Sequence, residues 1–171
     1  MTDLWPENLG EQQLDSPVSI MREQAKLLGD KTSNLIKAEV RAGSMDNGHF
    51  VYHFYIVAPT LNNYHFLLFS VEHDIELYPL EIYVDEVLGK ELGAKEPPFQ
   101  TPEELHKSVA DLAKIVSGFR IKQTKHLVLD ASSTQQFLDK LRMILASQRV
   151  QQVVSALLSQ MSFEEAQIPY R

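Results

Sequence analysis

Alternation of apolar and polar residues over positions 35–42 limits most strongly what this chain can fold into. The apolar set is Ile36, Ala38, Val40 and Ala42, and the charged set is Lys37, Glu39 and Arg41. A period of two is typical of a β-strand with one wet face. Asp46-Asn47-Gly48 follows and fits a three-residue hairpin loop that ends in a glycine at positive φ. This loop predicts Arg41 opposite His53 and Glu39 opposite Tyr55.

Three further strands are predicted after this turn. Residues 50–57 and 64–72 are apolar on both faces, so we expect them in the middle of the sheet. Residues 75–84 form the fourth strand of an antiparallel meander. Pro79 lies inside that stretch and cannot donate a ladder hydrogen bond, so we place this strand at an edge.

Helices are predicted before and after the meander in the sequence. Ser16-Pro17 starts the first, which stops at Gly29. Thr101-Pro102-Glu103-Glu104 is a capping box for a second that ends at Gly118. A short strand over 119–130 and two helices follow, separated by a break at Ser147-Gln148-Arg149.

The order of elements predicts a two-layer α+β domain. It has an N-terminal helix, a four-stranded antiparallel meander, then a helix, a short strand and two C-terminal helices on one sheet face. Residues 1–15 are polar and are expected to be a flexible tail, which leaves 16–171 as a single domain.

Composition excludes several classes of function. The 171 residues include no cysteine, so the chain has no disulfide, thiolate metal site or thiol nucleophile, and a cytoplasmic location is favoured. The apolar stretches are far shorter than the roughly 20 residues of a membrane helix, so we expect a soluble protein that does not bind membranes.

The distribution of charge disfavours nucleic acid as a partner. The net charge is −7, and residues 72–104 carry ten acids against two bases. Such a segment repels a phosphate backbone, whose binding depends on Lys and Arg. It could instead hold a basic protein partner, although a solvated acidic face is the simpler interpretation.

Three histidines are the first candidates for chemistry. If Ala58 faces Tyr64 across the second hairpin, His49 falls opposite His73, with His53 two same-face positions along β-strand two. A metal-dependent enzyme or a small-molecule site on the curved sheet is then one hypothesis. No metal-binding or nucleophile motif accompanies the histidines, so we predict no metal, cofactor or catalytic residue and favour ordinary surface or half-buried histidines.

Aromatic residues are concentrated in the predicted sheet. If its second face is not covered by helices, Arg41, Tyr55, Leu67 and Phe69 would form a patch suited to a partner or ligand. A plain sheet core is the alternative.

The last predicted helix is a second candidate interface. Its apolar stripe includes Val150, Val153, Val154, Leu157 and Met161, and the residues between them are uncharged. Packing against the core explains this stripe, and a homodimer through it would explain the missing charge.

In order of elements alone, the chain resembles small acidic helix-sheet-helix proteins such as secretion chaperones and toxin-immunity proteins. The resemblance implies a non-enzymatic protein-binding or regulatory module, and that is the function we expect. Shape does not fix function, however, so the enzyme hypothesis near His49, His53 and His73 stays open.

Overall fold

A computed structural model describes residue 4 and residues 15–45, 48–97 and 126–165. Their elements, in chain order, are α1 (Pro17–Lys31), β1 (Lys37–Ala42), β2 (Phe50–Ala58), β3 (Tyr64–His73), β4 (Leu80–Asp85), α2 (Glu86–Leu92), β5 (His126–Ala131), α3 (Thr134–Leu145) and α4 (Gln148–Glu165). The predicted helix up to Gly118, residues 119–125 of the predicted short strand and nearly all of the predicted tail lie outside the described residues.

The strands form one antiparallel sheet in the order β1-β2-β3-β4-β5. The α+β class and the meander are therefore confirmed, and the predicted short strand joins the meander as its fifth member. The prediction that the fourth strand lies at an edge is wrong, because β4 pairs with both β3 and β5. Pro79 precedes the first residue of β4, so its missing N–H costs no ladder bond there.

The first hairpin has the predicted register. Arg41 lies opposite His53 and Glu39 opposite Tyr55. The Gly43 N–H donates to the Val51 carbonyl at 2.7 Å, which extends the pairing toward the turn, and Gly48 has the positive φ of 84° that the loop requires.

The second hairpin contains a register shift. Ala58 lies opposite Tyr64 as predicted, and Tyr55 lies opposite Leu67, but the next residue, Phe54, lies opposite Phe69. Leu68 is thus an extra residue in β3. Because side chains alternate between the two faces, this β-bulge reverses which face each later residue of β3 occupies.

One hydrophobic core joins the described helices to one side of the sheet, which we call the helix face. Met21 of α1, Phe137 of α3 and Leu157 of α4 belong to the same cluster as Phe54 and Phe69. The last two rings stack with centroids 4.9 Å apart. The helices therefore cover this face, as the two-layer prediction requires.

The helix ends follow capping chemistry. The Ser16 side chain accepts from the Ser19 N–H, and Pro17 is the first helical residue, as predicted. The helix continues to Lys31 beyond the predicted stop at Gly29, because Gly29 is helical and Thr32 takes the C-cap. The break before α4 falls where it is predicted, and none of the described helices is long and apolar enough to cross a membrane.

Candidate functional site

The second side of the sheet, here called the outer face, carries polar and half-exposed side chains together with the buried Val57 and Val128. The hydrophobic core described above contains none of its residues. Its principal members come from all five strands and are Glu39, Arg41, His53, Tyr55, His65, Leu67, Ser70, Glu72, Glu81, Tyr83 and Asp130.

An ionic and aromatic cluster occupies the β1–β3 end of the outer face. Arg41 donates to Glu39 Oε2 from Nε at 3.1 Å and from Nη2 at 2.6 Å, and its Nη2 lies 2.6 Å from His65 Nε2. The same guanidinium lies over the Tyr55 ring, 5.3 Å from the centroid. One cation thus joins three strands through a carboxylate, an imidazole and an aromatic ring.

Electrostatics within this cluster follow from those contacts. The hydrogen bond from Arg41 holds the pKa of the Glu39 carboxyl below its ordinary value. Burial raises the pKa of Tyr55, so its hydroxyl stays protonated near neutrality. The cluster therefore presents a neutral phenol beside a paired cation, with Arg41 and Glu39 still 51% and 44% exposed.

His53 and Ser70 form a second contact on the outer face, with Nδ1 and Oγ 2.7 Å apart. Burial lowers the pKa of His53, which favours the neutral imidazole. A Cβ added to Gly43 would lie 2.8 Å from His53 Nε2, so this nitrogen faces the backbone of the neighbouring strand. Nδ1 is thus engaged by Ser70 and Nε2 lies close to the Gly43 backbone, which favours a structural histidine over an activating base.

An acidic row crosses the other end of the outer face. Glu72 lies opposite Glu81, and Glu81 lies opposite Asp130. The Tyr83 hydroxyl donates to Glu81 at 2.5 Å, and Asp130 lies 4.0 Å from Lys95 Nζ. Burial, followed by the hydrogen bond to Glu81, raises the pKa of Tyr83. Three carboxylates on neighbouring strands give this end a negative field.

The structure brings together three of the four residues of the predicted patch. Arg41, Tyr55 and Leu67 share the outer face, and Leu67 is 36% exposed. Phe69 is instead buried on the helix face against Phe54. Its placement in the patch is wrong because Leu68 is an extra residue, which turns Phe69 to the opposite side.

The three predicted histidines do not converge. Phe50, not His49, lies opposite His73, and the His73 ring stacks on Phe50 and Tyr52 on the helix face. His73 is buried, and its Nδ1 lies 2.6 Å from the Asp74 carbonyl oxygen. His53 occupies the outer face.

His49 lies at the end of the sheet. Its Nδ1 is 2.6 Å from a carboxylate oxygen of Asp74. Across the described part of the chain, no three histidine or carboxylate side chains are grouped so that they could hold a metal ion. The geometry therefore separates the residues on which the enzyme hypothesis depended.

The predicted dimer stripe packs inward. Val150, Leu157 and Met161 are buried in the core, and Val153 and Val154 pack against it as half-buried residues. The structure therefore shows that these side chains pack in or against the hydrophobic core. Any surface that α4 offers to a partner must use its other residues.

Several outer-face residues were not identified by sequence reasoning. His65 and Ser70 are single polar residues in an apolar strand, and alternation along residues 64–72 would have placed His65 beside Leu67. Asp130 comes from β5, and its place beside Glu81 depends on a pairing that no local pattern indicates.

Comparison of the chain with protein-family models, with curated proteins and with solved structures found no match in any of the three.

Proposed function

We propose that this protein is a non-enzymatic binding or regulatory module that holds a protein partner on the outer face of its sheet, in the manner of a chaperone or an immunity protein. The observation that carries the proposal is the cluster of Arg41, Tyr55 and Leu67, half-exposed on a rigid sheet. Arginine and tyrosine are enriched in protein interfaces, where each combines a large contact area with a polar end.

The chemistry of the outer face indicates the chemistry of the partner. Tyr55 and Leu67 offer apolar contact, and the row of Glu72, Glu81 and Asp130 offers negative charge at the other end. A segment with an apolar side chain and a lysine or arginine on the same side would satisfy both ends. Two of these three carboxylates, Glu72 and Glu81, belong to the acidic segment over residues 72–104.

Rigidity supports binding by this surface. Its central residues lie on paired strands, and Arg41 is already held by Glu39 and Tyr55, so little conformational entropy is lost when a partner docks. The lack of cysteine in the sequence fits a cytoplasmic location, where thiols stay reduced.

A random peptide library displayed on phage tests the proposal without knowledge of the natural partner. The wild-type chain is panned in parallel with Leu67→Asp, and Leu27→Asp on α1 serves as the matched control, because Leu27 is also exposed, at 46%, and lies on another element. We expect peptides that combine apolar and basic residues to be retained by the wild type and by Leu27→Asp.

Loss of these peptides with Leu67→Asp, by at least about tenfold in Kd, would support the outer face as the binding surface. Equal retention by both variants would contradict it, as would enrichment of acidic peptides. Circular dichroism of each variant establishes that the sheet is intact.

A further inference from the structure

Arg41 and His65 bring two basic side chains into direct contact on the outer face. Arg41 Nη2 lies 2.6 Å from His65 Nε2, although β2 separates their two strands. A guanidinium has only N–H donors and stays protonated throughout the ordinary pH range. His65 Nε2 must therefore accept the hydrogen bond, which requires a neutral imidazole with its proton on Nδ1.

The same imidazole nitrogen has a second charged neighbour. His65 Nε2 lies 3.7 Å from Glu39 Oε2, the oxygen to which Arg41 donates from Nε and Nη2. One nitrogen therefore faces a cation at hydrogen-bond distance and an anion just beyond it. Its own proton decides which of the two it can bond, because only a bare nitrogen accepts from Arg41 and only a protonated nitrogen donates to Glu39.

The nearest other side chains that flank His65 on the described strands are neutral. Val57 lies opposite it on β2, and Leu67 is its neighbour on the outer face of β3. The Tyr55 ring packs edge-on against the imidazole with centroids 6.1 Å apart. Burial raises the pKa of Tyr55, so this phenol carries no charge near neutrality.

Two further titratable groups lie beyond these neutral neighbours. The His53 ring flanks Tyr55 from its other side, with centroids 6.2 Å apart, and burial lowers its pKa. Lys37 lies opposite Val57 on β1, so Val57 separates it from His65. A proton on His65 therefore acts first on Arg41 and Glu39.

We infer that His65 is a pH-sensitive switch that controls the guanidinium of Arg41. In the neutral state the imidazole accepts from Arg41, and the charges of Glu39, Arg41 and His65 sum to zero. Protonation of Nε2 would place two cations 2.6 Å apart, so this contact breaks and the imidazolium donates to Glu39 instead. Arg41 keeps its Nε bond to Glu39, its Nη2 is released to the surface, and the cluster gains one positive charge.

The position of His65 suits this role. Histidine is the side chain that ordinarily changes its charge between about pH 5 and pH 8. The imidazole is 30% exposed, so a proton reaches it without unfolding of the sheet, and the half-exposed Arg41 presents its released donor to solvent. Control of partner binding by this switch rests on the function proposed for the outer face, whereas the switch itself does not.

NMR spectroscopy of the full chain, with no partner present, tests the neutral state of the switch. Long-range nitrogen–proton correlation spectra of the imidazole identify which ring nitrogen carries the proton. At about pH 8 we expect His65 to be neutral with its proton on Nδ1. A neutral His65 ring that is protonated on Nε2 would contradict its role as the acceptor from Arg41.

The guanidinium of Arg41 reports the second state. As the pH falls from about 8 to about 5, we expect its nitrogen chemical shifts to change with the same midpoint as the titration of His65. His65→Gln keeps an acceptor that does not titrate, so the change should be lost. His53→Gln removes the other histidine beside Tyr55 and should retain the change.

Two results would overturn the inference. One is a set of Arg41 shifts that do not follow the titration of His65, and the other is an equal pH dependence of these shifts in His65→Gln and His53→Gln. Because neither measurement uses a partner, failure of the switch is distinguished from failure of the peptide selection that tests the outer face.

Discussion

Arg149 of α4 holds Asp85, the last residue of β4, through two donors to one oxygen. Its Nε and Nη2 lie 3.1 and 3.0 Å from Oδ2. The other oxygen, Oδ1, accepts from the Leu88 N–H at 2.7 Å and caps α2. One carboxylate therefore fixes the start of α2 and attaches it to α4.

Substitution of Asp85 should separate these two roles. Asp85→Asn keeps an oxygen for the cap and loses the ion pair, so we expect a loss of about 1 kcal/mol in the free energy of unfolding. Asp85→Ala loses both and should cost about 2–3 kcal/mol. Urea denaturation measures the free energy of unfolding of both variants, and equal losses would contradict the separation of the two roles. Asp139→Ala, in an exposed pair with Arg142, should cost less than about 0.5 kcal/mol.

Gly89 allows α2 to lie directly on β5. A Cβ at this position would fall 2.6 Å from the Cβ and Cδ1 atoms of Leu127. Gly89→Ala should therefore destabilise the fold by about 1–3 kcal/mol, even though alanine favours helix. Thermal unfolding tests this, and a stabilised variant would contradict the close approach.

A double-mutant cycle locates the clash. In the Leu127→Ala background the added methyl group has space, so Gly89→Ala should be neutral or favourable there. If Gly89→Ala lowers the free energy of unfolding equally in both backgrounds, contact with Leu127 is not the cause of the loss.

The bulge at Leu68 predicts opposite outcomes for two residues of β3 that lie two positions apart. Phe69 is 1% exposed and stacks on Phe54, so Phe69→Ala should cost about 3–5 kcal/mol. Leu67→Ala, on the outer face, should cost less than about 1 kcal/mol. Chemical denaturation of the pair checks the register, and similar losses would argue against it.

The half-buried imidazole of His53 should make stability depend on pH. Its pKa is lowered from 6.5 by burial, so the unfolded chain binds the proton more readily than the folded chain. The free energy of unfolding should therefore fall as the pH drops through about 6.5 toward the folded-state pKa, and His53→Gln should reduce this slope. His126→Gln, at an exposed position, should retain it. Urea titrations near pH 7.5 and near pH 5 measure the difference, and parallel slopes for all three chains would contradict the assignment.

The first hairpin could be predicted from the sequence because its evidence is local. Alternation over 35–42 and the Asp46-Asn47-Gly48 turn together fix which residues oppose each other, and the helix cap at Ser16 is equally local. The sequence also predicts the aromatic and basic part of the outer face, since Arg41 and Tyr55 follow from that register.

Two features could not be predicted in the same way. Nothing in residues 64–72 distinguishes the extra residue Leu68, because its neighbours on both sides are large and apolar. The bulge at Leu68 places Phe69 and His73 on the helix face, whereas regular pairing would place them on the outer face. The position of Pro79 differs from the prediction by one residue: inside a strand a proline would remove a ladder hydrogen bond, whereas just before Leu80 it removes none.

The five-stranded order also bears on the order in which the strands are expected to form. The contacts among β1 to β4 join consecutive segments, whereas β5 pairs with β4 across the interval between Asp85 and His126. Closing so long a loop has a greater entropic cost than closing a hairpin, so we expect β5 and the helices after it to dock onto a meander that has already formed. Until then we expect the far edge of β4 to be unpaired and open to mispairing with other strands.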